Sequence, residues 1–253
     1  MVSIILSSRV KNNPDSNIHR LLKSIQSCGG DIENCEVLIK YDCDDDEKPK
    51  DEEFNYPFNI KTFTWNRYDG RYSLHIDYQY LFLEIDKRSK LVINIADDFY
   101  FTRTSIFNEL LSITDDYTII FCHDHKESEN DIDYRLYKKF FNDCELMVMS
   151  TKLITILGGF GFQPNTDNWT QLLHVILIQK YNINISKKVE VYYERSTSQT
   201  DWLNKKEYSI IRTHDFTNYN KEFYFDFVEQ QSKNIYLNLL ESGNVYRYKI
   251  SKR

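Results

Sequence analysis

Hydrophobic and polar positions alternate along this chain in blocks that read as strand, helix, strand. Val2 to Leu6 is an aliphatic and β-branched run of the kind a strand buried on both faces requires. Ile18, Leu21, Leu22 and Ile25 then follow at i, i+3, i+4 and i+7, one apolar face of a helix. Asp15-Ser16 can cap that helix, and Gly29-Gly30 stops it. Glu36 to Tyr41 and Ile60 to Trp65 are two further strands. Ser73 opens a second helix with Leu74, Tyr78, Leu81, Phe82 and Ile85 along a stripe, and Lys90 to Ile95 is a fourth strand.

Four strands joined by helices or crossover segments predict an α/β fold: a Rossmann-like, mostly parallel central sheet with helices on both faces. Ligands of such sheets bind at the carboxyl ends of the strands, and polar residues gather there. Ser7-Ser8-Arg9 follows the first strand, Asp42 the second, Arg67 the third and Asp97-Asp98 the fourth. The second half is less regular. Ile106, Leu110 and Ile113 predict a short helix, and Tyr117 to Cys122 a strand. A helix carrying Trp169, Leu172, Leu173 and Ile176 has Asp167 at its start, Val189 to Tyr193 is a strand, and the tail from Tyr219 to Leu240 is helical. No internal repeat, linker or low-complexity segment divides the chain, so residues 1–253 are expected to form one domain.

Composition narrows the function classes. An apolar fraction of 41% and a charged fraction of 28% are ordinary for a globular protein. The net charge of -6 argues against a nucleic-acid binder, but leaves room for a nucleotide neutralised locally by arginines and a divalent metal. The 5 cysteines are odd in number and include no CxxC pair, which predicts free thiols in a reducing, cytoplasmic setting. The longest apolar runs fall far short of the roughly 20 residues a membrane span needs, and the amino terminus lacks the basic start of a signal peptide.

Asp97-Asp98 is the sharpest chemical feature. Two adjacent carboxylates after a buried strand repel unless a cation or donors compensate. A hard divalent ion, Mg²⁺ or Mn²⁺, does this and also bridges a diphosphate. Alternatively, one Asp caps a turn or the helix near Ile106 and the other faces water.

The order of these features resembles the GT-A glycosyltransferases: a first strand ending in Ser-Arg, a second ending in Asp, a fourth ending in an acidic pair. Gly70-Arg71-Tyr72-Ser73-Leu74-His75, followed by Asn94-Ile95-Ala96-Asp97-Asp98-Phe99, resembles a soluble, family 2-like branch with an Asp-Asp version of the DxD motif. The similarity covers about the first 110 residues, which would be the nucleotide-sugar-binding half, with an acceptor-side half and a helical tail after it. It implies a glycosyltransferase, inverting, that moves a sugar from a nucleotide-diphosphate donor, a UDP-sugar favoured, to a glycan or other hydroxyl acceptor. Ser7 and Arg9 would line the nucleotide pocket, and Asp42 would accept hydrogen bonds from the base. Asp97 would lie near the ribose or the metal, and Asp98 would be the main metal ligand. The chain departs from Asp-x-Asp, whose first Asp falls on Ala96 or Ile95, so the ligand assignment stays open between Asp97 and Asp98.

Arg67, Arg71 and His75 cluster at a helix start, where free N–H groups and guanidinium forks suit phosphate. Asp167 is the candidate base for the acceptor hydroxyl, or a plain helix cap. Gly158-Gly159-Phe160-Gly161-Phe162, just before it, would let backbone approach a sugar. His214 is a candidate third metal ligand. His123-Asp124-His125 and the acidic run after Asp42 read as polar loops. Trp65, Tyr68, Trp169 and Trp202 are sugar platforms or core. Two rivals remain. A sugar nucleotidyltransferase would place carboxylates similarly, but it wants a glycine-rich loop where Ser7 to Asn13 has none. A GT-A-like module that binds sugar or protein without catalysis is the other.

Overall fold

The computed structural model describes residues 1–10, 17–28, 34–66, 72–97, 99–123, 146–160, 166–190, 193–195 and 221–250. The central sheet has seven strands in the order β3-β2-β1-β4-β7-β6-β8. They are β1 (Val2–Ser8), β2 (Cys35–Asp42), β3 (Asn59–Trp65), β4 (Leu91–Asn94), β6 (Ile119–His123), β7 (Met147–Ser150) and β8 (Ser186–Glu190). β5 (Phe99–Phe101) and β9 (Tyr193–Arg195) form a separate antiparallel pair. The helices are α1 (Ile18–Cys28), α2 (Tyr72–Leu83), α3 (Ile106–Ile113), α4 (Thr151–Leu157), α5 (Thr166–Tyr181), α6 (Lys221–Glu241) and α7 (Val245–Tyr248). Pairing is parallel from β3 through β4 and between β6 and β8, while β7 runs antiparallel to both its neighbours. The mostly parallel α/β sheet is as expected.

Strand periodicity sorts the core into two layers. Ile4, Leu6, Val37, Ile39 and Ile93 face one side, where α1, β5 and α3 cover them. Ile5, Leu38, Val92, Phe121 and Met149 face the other, where they meet α2, α4, α5 and α6. α1 buries the predicted stripe and adds Cys28. Asn17 Oδ1 accepts the Arg20 N–H at 3.0 Å and so caps it; Asp15-Ser16, the expected cap, lies outside the described residues.

β7, α4, α7 and the β5–β9 pair were not foreseen. Met147–Ser150 is too short to show a period, and only its slot between β4 and β6 makes it a strand. α4 ends on Gly158 (φ 76°) and Gly159 (φ 115°), whose N–H groups return to Thr155 and Ile154 carbonyls. A Cβ on Gly159 would collide with the Gln79 side-chain amide of α2. These two glycines therefore stop α4, and Gly159 seats its end against α2; Gly161-Phe162, the rest of the glycine-dense stretch, lie outside the described residues. Trp169 is fully buried and donates Nε1–H to Gln231 Oε1 at 2.7 Å, so it belongs to the core. No helix among the described residues is long and apolar enough to cross a membrane.

Candidate active site at the carboxyl ends of β1, β2 and β4

The chain steps outward from β1 to β2 to β3, then returns to β4 on the other flank of β1. Strand order thus reverses between β1 and β4, and the carboxyl ends of strands at such a switch point are where open α/β sheets bind ligands in a crevice. Ser7 and Ser8 end β1, and Asp97 lies three residues beyond β4. On the α1 side Ser8 Oγ donates to Asp97 Oδ2 at 2.7 Å, which ties the two strand ends together. Tyr41, at the end of β2 on the same side, is 1% exposed. Its hydroxyl has no hydrogen-bond partner among the described residues. Burial, reinforced by the negative charges of Asp97 and Asp45, pushes its phenol well above the ordinary value, so it stays neutral.

The α2 side holds an ionic ladder. Strand period places Ser7 of β1 beside Lys40 of β2, and Lys40 on the same face as Asp42. Lys40 is 1% exposed and pairs with both Asp42 Oδ1 and, at 3.2 Å, Asp77 Oδ2. Asp77 of α2 also accepts Ser7 Oγ at 2.9 Å and Trp65 Nε1 at 2.7 Å, so one carboxylate fastens α2 to β1, β2 and β3. The other oxygen of Asp42 accepts Arg9 NH1 at 2.7 Å, and Arg9 continues to Asp44 at 3.1 Å. Burial lowers the Arg9 pKa, but the hydrogen bonds it donates to Asp42 and Asp44, with their negative charge, outweigh this and hold the guanidinium above its usual value. The acidic run after β2 is more than a solvated loop: Asp45 is 1% exposed and accepts the Val10 N–H at 2.7 Å.

Of the expected site residues, the structure brings Ser7, Arg9, Asp42 and Asp97 to these strand ends. Ser7 and Asp97 contact different sides of the sheet, and Arg9 joins Asp42 directly. His75 lies in the first turn of α2 and Asp167 is the second residue of α5; their side chains are outside the described ones. Arg67, Arg71, Asp98 and His214 lie outside the described residues. No group of three or more His, Cys, Asp or Glu that can hold a metal occurs among the described residues.

Lys40 and Asp77 were missed. Both carried a signal: Lys40 is a cation inside a strand whose eight residues are all buried, two positions from Asp42. Asp77 interrupts the apolar stripe of α2 at i+3 from Leu74 and i-4 from Leu81. Charge alone is not the criterion, because Glu36 at the amino end of β2 is equally buried. It serves structure there, taking Ser3 Oγ and the Asp86 N–H at 2.6 Å each.

No family model matches this chain, and no curated protein matches it. Among solved structures, residues 1–349 of Staphylococcus aureus TarS, a GT-A glycosyltransferase, superimpose with a TM-score of 0.54. The identity is 13%, over 95% of this chain and 73% of that one. The same TarS fragment in complex with UDP-GlcNAc gives 0.52 at 12% identity, over 93% and 72%. Its complex with UDP also matches, at 0.54 and 13%. Against the longer TarS structure the match spans 43% of that chain. At this identity the likeness shows the fold, which is of the GT-A type.

Proposed function

We propose that this chain is a glycosyltransferase that moves a sugar from a nucleotide-diphosphate donor, a UDP-sugar favoured, to a hydroxyl acceptor with inversion. The observation that carries the reading is the convergence of Ser7, Ser8, Arg9, Lys40, Asp42 and Asp97 on the ends of β1, β2 and β4, in a GT-A fold. The fold likeness to TarS, solved with UDP and with UDP-GlcNAc, supports a donor of that class.

In this reading Asp42, pinned between Lys40 and Arg9, is an acceptor for an N–H of the base. Asp97 and the Ser8 hydroxyl it receives face the ribose and diphosphate. Arg67, Arg71 and His75 bind phosphate at the start of α2. The Asp97 carboxylate at a strand end is a hard oxygen donor, which suits Mg²⁺ or Mn²⁺. Such ions are held by one or two carboxylates together with substrate phosphates. Asp98 and His214 would complete the protein's share of that site. When bound, the ion neutralises charge on the departing diphosphate. Asp167, in the first turn of α5, takes the proton of the acceptor hydroxyl as it attacks.

The test is thermal-shift binding against UDP-, GDP-, dTDP- and CMP-sugars with and without Mn²⁺ or Mg²⁺. A ligand at 100 times its dissociation constant stabilises by about 2.7 kcal/mol, enough to read as a melting shift. A metal-dependent shift with one nucleotide class is expected, abolished in Asp98→Ala without loss of fold. Absence of any shift from a folded sample would overturn the reading in favour of a non-catalytic module.

A further inference from the structure

Lys40 sits where a lysine is expensive. Burying an ammonium costs several kcal/mol unless it is paired, and a buried pair is no better for stability than an apolar replacement of the same volume. Here one ammonium serves two carboxylates, Asp42 and Asp77, on neighbouring elements. Asp77 is itself immobilised, because Ser7 and Trp65 donate to it as well. Asp42 has a cation on each oxygen: Lys40 from the sheet side and Arg9 from the loop after β1. A carboxylate has about four lone-pair sites, so two protein contacts leave acceptor capacity while preventing rotation.

We propose that Lys40 and Asp77 are positioning residues that fix the plane of Asp42, and through it set which nucleobase the crevice accepts. The proposal rests on the nucleotide-sugar reading above. A rigid, acceptor-only carboxylate rewards a base that presents an N–H and leaves a base with a lone pair there unsatisfied. Sites that hydrogen-bond a particular N–H discriminate strongly against ligands that lack it. Without Lys40 the Asp42 carboxylate is held from the Arg9 side alone, and its direction is no longer defined. Arg9 is 27% exposed and shared with Asp44, so it does not hold that plane alone.

The experiment measures dissociation constants of UDP, GDP, CDP and ADP by calorimetry for the wild-type chain and for Lys40→Met, with circular dichroism as the folding control. The wild type is expected to prefer one base. Lys40→Met is expected to weaken that nucleotide by about ten- to a hundredfold, the scale of one hydrogen bond to a charged group. The other three change little, so the preference flattens. A purely structural lysine would lower the melting temperature and leave the ratios intact; that result overturns the proposal. Should Lys40→Met fail to fold, Asp77→Asn keeps the volume and loosens Lys40, and the same flattening is expected; unchanged ratios there overturn it equally. A wild-type chain that binds none of the four overturns the nucleotide reading and this proposal together.

Discussion

A single buried strand position shows how charge is tolerated in the sheet. Lys40 is accommodated because two carboxylates lie within reach on its face of the sheet, whereas its neighbours Ile39 and Tyr41 meet only the apolar layer and Ser8's row. The thiols respond to burial in the same sense. Burial pushes Cys35 up to about 12 from its ordinary 9.0, with the adjacent Glu36 adding to the effect, and burial raises Cys122 further still. Cys43 is exposed. Brief alkylation of the native protein followed by peptide mapping should label Cys43 and leave Cys35 and Cys122 unlabelled until denaturant is added. Because the folded-state pKa of Cys35 is raised, its contribution to stability is full below pH 9 and is lost as pH rises toward 12. Urea midpoints should therefore fall with pH over that window, less steeply in Cys35→Ala.

Among elements, the contact of α2 with the turn after α4 links the two flanks of the molecule. Gln79 donates Nε2–H to the Phe160 carbonyl at 2.6 Å, and Phe160 packs edge-on against Tyr78 and Phe82 and beside Trp169 of α5. The helix that carries Asp77 and the helix that carries Asp167 in its first turn thus share one aromatic joint. Gly159 lies at its hinge with φ 115°, a conformation that strains any other residue. Gly159→Ala should destabilise the fold by about 1–3 kcal/mol, the usual cost of such backbone strain. Pairing it with Gln79→Ala removes the collision but not the strain. The double variant should recover only part of the loss, as a double-mutant cycle on urea midpoints would show.

At the scale of the molecule, the second core layer depends on a helix distant in sequence from the sheet. Val228, Ile235 and Leu239 of α6 are fully buried against α4 and α5, and Gln231 bridges Trp169 to the Leu157 carbonyl. Three such side chains contribute about 5–9 kcal/mol of burial, against a typical total stability of about 5–15 kcal/mol. A chain ended at residue 220 should lose its cooperative melt and bind a hydrophobic dye. The far end is tied in separately. Tyr248 of α7 donates to Asp115 at 2.8 Å, the Asn184 N–H donates to the Tyr248 carbonyl, and the Ile250 N–H donates to the Asn182 carbonyl.

Local pattern alone determined the first four strands, α1, α2 and the polar residues at their carboxyl ends. Burial of Val2 to Leu6 or of Ile18, Leu21, Leu22 and Ile25 needs no knowledge of the neighbour that buries them. It also determined Arg9, Asp42 and Asp97 as candidates, since a charge directly after a buried strand has nowhere to be but the edge of the sheet. Only the tertiary structure decided that β7 is a strand, that Gly159 answers to Gln79 and that Trp169 is core. Only it joined Ser8 to Asp97 across 89 positions and Ser7 to Asp77 across 70. Those pairings arise from strand order and register, and two side chains that far apart in sequence carry no mark of each other until the sheet sets them side by side.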